Sequence, residues 1–511
     1  MTDREGNGET PGGGEGEGGV EMERWPADRP RPEGLGVGDA AVMAALGEAR
    51  IWSTGTSIGV DEFNAEFAVV QTGGKTLILK ENPPDPGGLE PRIDLLRRED
   101  FELWTRPNRT VVVGREKKGG GFLGNVVPSS AIWLSSPRRR QYRGIEFAPA
   151  APGQDNGRAG FYNLWRGFAV EPDPAGAAKC SKFLAHIWEN VAQDDIRLYD
   201  WILGFLAQMV QAPEVRPGVA LVLRGKQGVG KSTIGDIMGA LFPGNYVLAD
   251  QGRYVTGQFN AHLADCLLLQ ADEAFWAGDH DAEGRLKGMV TGRYQMIERK
   301  GVDPIKVANF VRLIITSNKS WVVPAGAEER RFCVVDVGED RIQDREYFGA
   351  LYREMLEEGG LSGLLHHLME IDVEAADLNA IPETGALLEQ KVRGMSPEES
   401  WWFHRLSEGA PTPGVKGWEE VVPKAWLHAD YIAYADRLGF RHKLAENSFG
   451  SAMVRMLPWT KSVFRTPPMR EGDPHPGDRV QCRLLPPLAA CRAYFSAQLQ
   501  AAIDWGDEGG S

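Results

Sequence analysis

Cysteine and histidine are both scarce in this chain of 511 residues, which has five of the first and nine of the second. Cys180, Cys266, Cys333, Cys482 and Cys491 are odd in number, scattered and without a CxxC pair, and the histidines fall in no metal-ligand spacing. The pattern argues against a disulfide framework and a zinc site, and it predicts reduced, buried thiols in a cytoplasmic protein. Long apolar runs are absent too. No stretch reaches about 18 consecutive apolar residues, so neither a transmembrane helix nor a membrane partner is expected. The opening Met1-Thr2-Asp3-Arg4-Glu5 has no basic n-region and no apolar h-region, so it does not read as a secretory signal. Positive charge is also short: the net charge is −14. Ten acids against four arginines in residues 1–40 account for −6 of it, leaving a mildly acidic remainder. A nucleic-acid partner therefore cannot be argued from overall charge. It requires a local basic feature or a pore lined by several subunits.

Glycine, by contrast, is abundant, and much of it sits in the first forty residues. Residues 1–40, rich in Gly, Glu and Pro, show almost no apolar periodicity and are expected to be a disordered acidic tail. Residues 50–150 form a strand-rich N-terminal region, in which Phe67–Val70 and Thr76–Leu79 flank a hairpin-like turn at Gln71–Lys75 and Thr110–Val113 is a further β-branched run. Near its end, Arg138, Arg139 and Arg140 precede Tyr142. A basic cluster beside an aromatic can hold a phosphate backbone and stack a base. It is equally what a solvated loop looks like. Residues 151–215 form a helical, collar-like segment whose pattern is broken by Pro213 and Pro217. From 216 to about 395, strands and helices alternate as a parallel α/β sheet requires. Residues 400–511, with Trp401, Trp402, Trp418 and Trp426, form a last unit.

The strand Val219–Leu223 runs into Gly225-Lys226-Gln227-Gly228-Val229-Gly230-Lys231-Ser232-Thr233, and an apolar-periodic segment follows through Leu241. Strand, glycine loop and helix is the context that a phosphate-binding loop needs. The glycines let peptide N–H groups point at the phosphates, and the helix N-terminus adds positive dipole. Lys231 is placed to reach the β- and γ-phosphates of ATP, and the Ser232 hydroxyl to ligate Mg²⁺. A second buried strand, Cys266–Ala271, ends in Asp272-Glu273. Carboxylates at the C-terminal end of a parallel strand face the nucleotide crevice; Asp272 suits the metal and Glu273 the attacking water. This favours hydrolysis over small-molecule phosphorylation. A third strand, Val311–Ser317, ends in Asn318, which suits a contact to the γ-phosphate or the lytic water, or merely a turn. Arg330 and Arg331 precede a fourth strand, where arginine suits stabilisation of the transferring phosphoryl group, or belongs to a solvated charge cluster.

These motifs fit within residues 225–318, a compact order that resembles the superfamily III helicases, the AAA+-related ring motors of small viruses, phages and poxviruses. Asp272–Gly278, Leu286–Gly292 and Glu328–Phe332 are similar to the helicase domain of phage primase–helicase and polymerase–helicase proteins. The resemblance implies a hexameric ring that hydrolyses ATP between subunits and translocates on single-stranded or forked DNA in a bacterial or phage-infected cytoplasm. It implies a hairpin in the segment from Lys287 to Lys300-Gly301 that meets DNA in the channel, with Lys300 near its tip. It also implies an arginine finger at Arg330 or Arg331 and a C-terminal winged helix over 426–465. One departure stands out. Relatives often carry a primase-polymerase module with a DxD pair and a histidine, whereas residues 1–185 hold no DxD and the first histidine is His186. Priming would have to come from a separate primase or polymerase chain. Two other functions suit the same motifs: an ATP-regulated origin- or operator-binding protein, and a DNA-stimulated NTPase that remodels replication proteins without unwinding.

Overall fold

The computed structural model describes residues 23–24, 33–34, 36–53, 59–83, 93–106, 110–119, 121–273, 280–299, 302–320, 322–323, 329–415, 417–467 and 477–506. It divides into two compact units. The first holds the chain up to Glu146 together with Gly157–Leu164; the second holds Phe147–Asn156 and everything from Trp165 onward.

In the first unit, Phe67–Thr72 and Lys75–Glu81 pair antiparallel, with Thr72 opposite Lys75. The two-residue connection Gly73-Gly74 has φ of 55° and 73°, the left-handed pair that a type I′ hairpin demands and that glycine supplies without strain. Ile93–Leu96 and Gln141–Tyr142 extend this sheet at its two edges. A second sheet is built on the antiparallel strands Arg50–Ser53, Thr110–Glu116 and Phe122–Pro128. Phe63, Phe67, Phe101 and Trp133 interlock in one aromatic core. Two expectations need correcting. Order begins before residue 40: Val37–Ala45 is a helix whose Ala40, Ala41 and Ala44 pack on Val111, Val113 and Val127. Its buried stripe consists of alanines, so the apolar periodicity was faint. The chain also does not leave this unit cleanly at 150, because Phe161–Asn163 returns to pair in parallel with Gly144–Glu146.

The second unit is centred on five parallel strands in the spatial order Tyr246–Ala249, Leu268–Ala271, Arg312–Ser317, Ala220–Arg224, Phe332–Asp336. Every residue of Leu268–Ala271, Arg312–Ser317 and Ala220–Arg224 is buried, as expected of a parallel sheet covered on both faces. One face, through Leu221, Leu223 and Ile314, packs on helices Ile196–Gln211, Thr233–Leu241 and Gly360–Glu370. The other, through Val222, Leu269 and Ile315, packs on Leu286 and Val290 of helix His280–Thr291 and on Leu387. Between that helix and the strand Arg312–Ser317, an antiparallel hairpin is formed by Tyr294–Arg299 and Val302–Ala308.

Residues beyond 396 build a helical subdomain from Pro397–Glu408, Lys424–Arg437, Glu446–Met456 and Leu488–Leu499. It carries a three-stranded antiparallel sheet, with Val480–Leu484 between Val421–Pro423 and Lys461–Arg465. Its core is aromatic, with Tyr431 stacked on Phe449 and Trp401 edge-on to Phe449. All five cysteines are free and buried. Among the described residues no helix is long and apolar enough to cross a membrane.

Arg312 opens the middle strand of the sheet and is fully buried. Its guanidinium donates to the carbonyls of Phe310 (2.8 Å), Ala212 (2.9 Å), Val215 (2.6 Å) and Pro213, and to Gln208 Oε1 (3.0 Å). The charge thus sits on carbonyls that end the helix Ile196–Gln211, where the macrodipole favours a cation. Arg312→Met should leave Pro213 O, Phe310 O and Gln208 Oε1 without this donor, while Gln208 Nε2 still serves Ala212 O and Val215 O, and lower stability by about 3 kcal/mol or more. Chemical denaturation of the full chain checks this, and a loss under about 1 kcal/mol would show that the carbonyls find other donors.

Candidate nucleotide site

The sheet register decides which side chains can meet. Arg224 lies opposite Ser317 and Ala271 opposite Ile315, so the residues that follow these strands emerge along one edge. Gly225 N–H still donates to Ser317 O (3.1 Å), and Asp272 N–H to Ala249 O (2.8 Å). The loop from Gly225, the pair Asp272-Glu273 and Asn318 are therefore neighbours along that edge, with Asn318 following the strand that separates the other two.

In the loop, Gly225, Gly228 and Gly230 have φ of 154°, 87° and 88°. At Gly230 a side chain is excluded twice over: a Cβ would lie 2.6 Å from the Phe348 ring and 2.7 Å from His186 Cε1. Lys231 is buried, and its ammonium donates to Gly225 O (3.0 Å) and Lys226 O (2.8 Å). Burial lowers its pKa, while the carboxylates of Glu273 and Asp272 pull the other way; that coupling puts the lysine in the field of the acidic pair. Ser232 stands at the N-cap of helix Thr233–Leu241.

Asp272 is half-buried and accepts a short hydrogen bond from the Thr316 hydroxyl. This holds one oxygen of the carboxylate. Glu273 is exposed and has φ of 53°. A left-handed backbone at a residue other than glycine is costly and tends to persist at functional sites. Asn318 is exposed beyond the end of its strand, followed by the exposed Lys319, a cation that the sequence reading passed over.

Sequence reasoning also missed a polar layer behind the loop. Gln270 interrupts the buried apolar strand, accepts from the Tyr246 hydroxyl (2.9 Å) and donates to Asp236 (3.3 Å) and Ser232 O (3.4 Å). Tyr352 donates to the other Asp236 oxygen (2.9 Å). Burial raises the Asp236 pKa, and the hydrogen bonds from Tyr352, Gln270 and Tyr246 oppose it. A glutamine inside an apolar run was the legible signal. Below the loop lies His186, fully buried in a π-helical turn, His186–Val191.

The arginines fall elsewhere. Ala220 lies opposite Phe332, and Ala220 N–H donates to Arg331 O (2.7 Å). Arg330 and Arg331 thus stand at the N-terminal edge of the sheet, roughly 17 Å from the loop at about 3.3 Å per residue. Arg331 is paired with the buried Glu329 at 3.4 Å, whereas Arg330 is exposed. In the first unit each member of the basic cluster has a partner: Arg138 pairs with Asp61 (2.8 Å), Arg140 with Glu81 (2.6 Å), and Arg139 donates to Leu134 O. Lys287 is half-buried on the helix before the hairpin, not on the hairpin itself. Lys300 lies outside the described residues.

Residues 223–331 match a protein family of unknown function, DUF5906. The chain is 26% identical over 255 residues to the DNA primase-polymerase of Nitratiruptor phage NrS-1, an alignment that spans 46% of this chain and about a third (34%) of that protein. Two solved apo structures of the NrS-1 C-terminal region share the fold. One has a TM-score of 0.54 at 16% identity and covers 87% of this chain and 98% of that one; the other has a TM-score of 0.53 at 15% identity and covers 87% and 99%. By sequence the chain is thus similar to a phage DNA primase-polymerase, and by fold to that protein's C-terminal region.

Burial of His186 pushes its pKa down to about 4, partly opposed by its hydrogen bond to Gly230. The unfolded chain takes up this proton near pH 6.5 and the folded one only near 4. Stability should therefore be unaffected by this group above that upper value and fall as the pH drops through the window, by about 2 kcal/mol between pH 7.5 and 5. His186→Gln should flatten that part of the profile. Denaturation curves at the two pH values measure it, and an unchanged slope in the variant would assign the acid sensitivity to other groups.

Proposed function

We propose that this protein is an ATP-hydrolysing DNA helicase motor of phage or mobile-element replication, and that it works as a ring in which neighbouring subunits complete each other's sites. The observation that carries this reading is the distribution of groups across the sheet. The glycine loop, Lys231, Asp272, Glu273 and Asn318 share one edge, while an exposed arginine stands at the opposite edge. Lys231 would exchange its loop carbonyls for the β- and γ-phosphate oxygens. The donor set of Ser232 and Asp272, hydroxyl and carboxylate, suits Mg²⁺, which would neutralise phosphate charge when bound. Glu273 orients the attacking water, and Asn318 fixes the γ-phosphate or that water.

Hydrolysis builds charge on the transferring phosphoryl group, and a cation delivered by a second molecule is a known way to meet it. Arg330 cannot do so within its own chain, given the width of the sheet. It is free to do so for a neighbour. Arg331, tied to Glu329, is the weaker candidate. The similarity to a phage primase-polymerase supports replication as the setting, with single-stranded or forked DNA as the track. A second reading draws on the C-terminal subdomain. Helices Lys424–Arg437 and Glu446–Met456, followed by the hairpin strands Lys461–Arg465 and Val480–Leu484, have the arrangement expected of a winged helix. That favours an ATP-regulated origin- or operator-binding protein. ATP-dependent strand displacement on forked DNA supports the first reading; an ATP-independent, sequence-specific footprint supports the second.

Lys231→Ala and Arg330→Ala should each cut ATPase activity by orders of magnitude, and Glu273→Gln should keep ATP binding while stalling turnover. Mixing the Lys231 and Arg330 variants should restore activity, because some interfaces then pair an intact loop with an intact arginine. The effect is large, since such a finger contributes about 10³–10⁵ in rate in related systems. Verified hetero-oligomers that stay inactive would make the arginine's role structural and overturn the shared site. Full activity of Arg330→Ala alone would leave it a surface charge.

A further inference from the structure

Three consecutive carbonyls of the glycine loop are held from outside. Gly228 O accepts from Gln343 N–H (2.9 Å), Val229 O from the Asn190 side-chain amide (2.8 Å), and Gly230 O from His186 Nε2 (3.2 Å). In a trans peptide the N–H points opposite to the C=O. Fixing these three carbonyls outward therefore aims the N–H groups of Val229, Gly230 and Lys231 into the hollow of the loop. Successive N–H groups aimed into one concavity make an anion site. Two of the three outside donors come from the single π-helical turn His186–Val191.

The chemistry of the histidine is determined by its neighbours. A carbonyl can only accept, so Nε2 carries the hydrogen and Nδ1 is left as an acceptor. The Tyr347 hydroxyl, 3.2 Å from Nδ1, is then the donor. Tyr347 lies on helix Arg345–Leu356, which follows the last strand of the sheet. A chain of two hydrogen bonds, Tyr347 to His186 to Gly230, thus joins that helix to the loop. The same turn is tied to the segment after Asp336, where Gly338 N–H donates to Asn190 O (2.7 Å).

We propose that His186 and Asn190 are positioning residues for phosphate binding, which orient the loop's peptides without touching the nucleotide, and that Tyr347 sets the tautomer through which His186 acts. This rests on the nucleotide reading given above. It adds that affinity for the phosphates depends on a buried turn about 40 residues upstream in the chain.

The test measures KM and kcat for ATP in the full-length chain, with thermal unfolding run alongside. His186→Phe fills the space but donates nothing, and it should raise KM about tenfold, the value of roughly one hydrogen bond, while kcat changes less than about threefold. His186→Gln restores an N–H donor at a similar reach and should return KM to within about threefold of the parent. Tyr347→Phe removes only a hydroxyl, so the fold should survive, and KM should still rise, by less than in His186→Phe. Unchanged KM in folded His186→Phe and Tyr347→Phe would overturn the proposal. So would equal losses in the Phe and Gln variants that follow their unfolding temperatures, which is what mere packing produces. A parent chain that neither binds nor hydrolyses ATP would instead overturn the nucleotide reading itself.

Discussion

The register of the strand Ala220–Arg224 between its two parallel neighbours is the constraint on which the rest of the second unit depends. Its side chains alternate between two cores, Leu221 and Leu223 to one, Ala220 and Val222 to the other. The large residues lie on the face covered by helices Ile196–Gln211 and Thr233–Leu241. A slip of one residue would exchange the two sets and bury the wrong volumes on both faces. With the register held, the ladder runs out at Arg224 and Ser317, and the chain turns into the glycine loop at the place where Asn318 also emerges. Close packing far from the loop thus determines which polar groups can meet at it.

Buried polar groups at the two ends of the sheet add to this constraint. At the N-terminal end Arg312 gathers the carbonyls that close helix Ile196–Gln211. At the C-terminal end the buried Arg224 donates to Asp336 and Glu389, both at 2.8 Å, joining the loop strand, its neighbour and helix Gly385–Arg393. The Arg224 network favours one arrangement, because any shift leaves a buried charge without its partner. The glycine loop is therefore mounted on strands that resist moving singly, and it is joined to helix Arg345–Leu356 through His186.

Much of this was legible in the sequence wherever apolar runs were continuous. The strand over 219–223 is an unbroken apolar segment, those over 267–271 and 311–317 are each interrupted inside by one polar residue, Gln270 and Arg312, and the tips of such strands in a parallel sheet are where polar chemistry collects. The Gly73-Gly74 turn was legible for a different reason, since two glycines between β-branched runs have few other uses. What escaped notice were lone polar residues in apolar surroundings. His186, Asn190 and Gln270 each look like an interruption, and their value lies in partners that only the fold brings near: Gly230 and Val229 for the first two, Asp236 and Tyr246 for the third. The helix Val37–Ala45 escaped for the opposite reason, because alanine marks a buried face only weakly. The arginine cluster at 138–140 was legible as charge but not as what the charge does, since Asp61 and Glu81 lie far away in sequence.

The cations near the loop are mostly engaged by carboxylates. Arg224 is committed to two carboxylates, Lys226 faces Glu339 at 2.8 Å, and Arg341 faces Glu189 at 3.5 Å. The last two pairs are exposed and weak, yet each still lowers the net charge that its cation could offer. Lys231 alone is buried within the loop. Lys319 is exposed beside Asn318, and a lysine there presents a strongly hydrated point charge on a flexible stem. An arginine from a second subunit presents a planar fork that binds two phosphate oxygens at once and is weakly hydrated, so it gains more on entering a closed interface. The same residue would be of no catalytic use in an isolated chain, where the sheet separates it from the loop. On the function proposed above, hydrolysis would thereby be tied to assembly. A chain alone would hold nucleotide with Lys231 and its loop but turn it over slowly, and the exposure of Arg330 at the far edge is what such a division of the site between subunits requires.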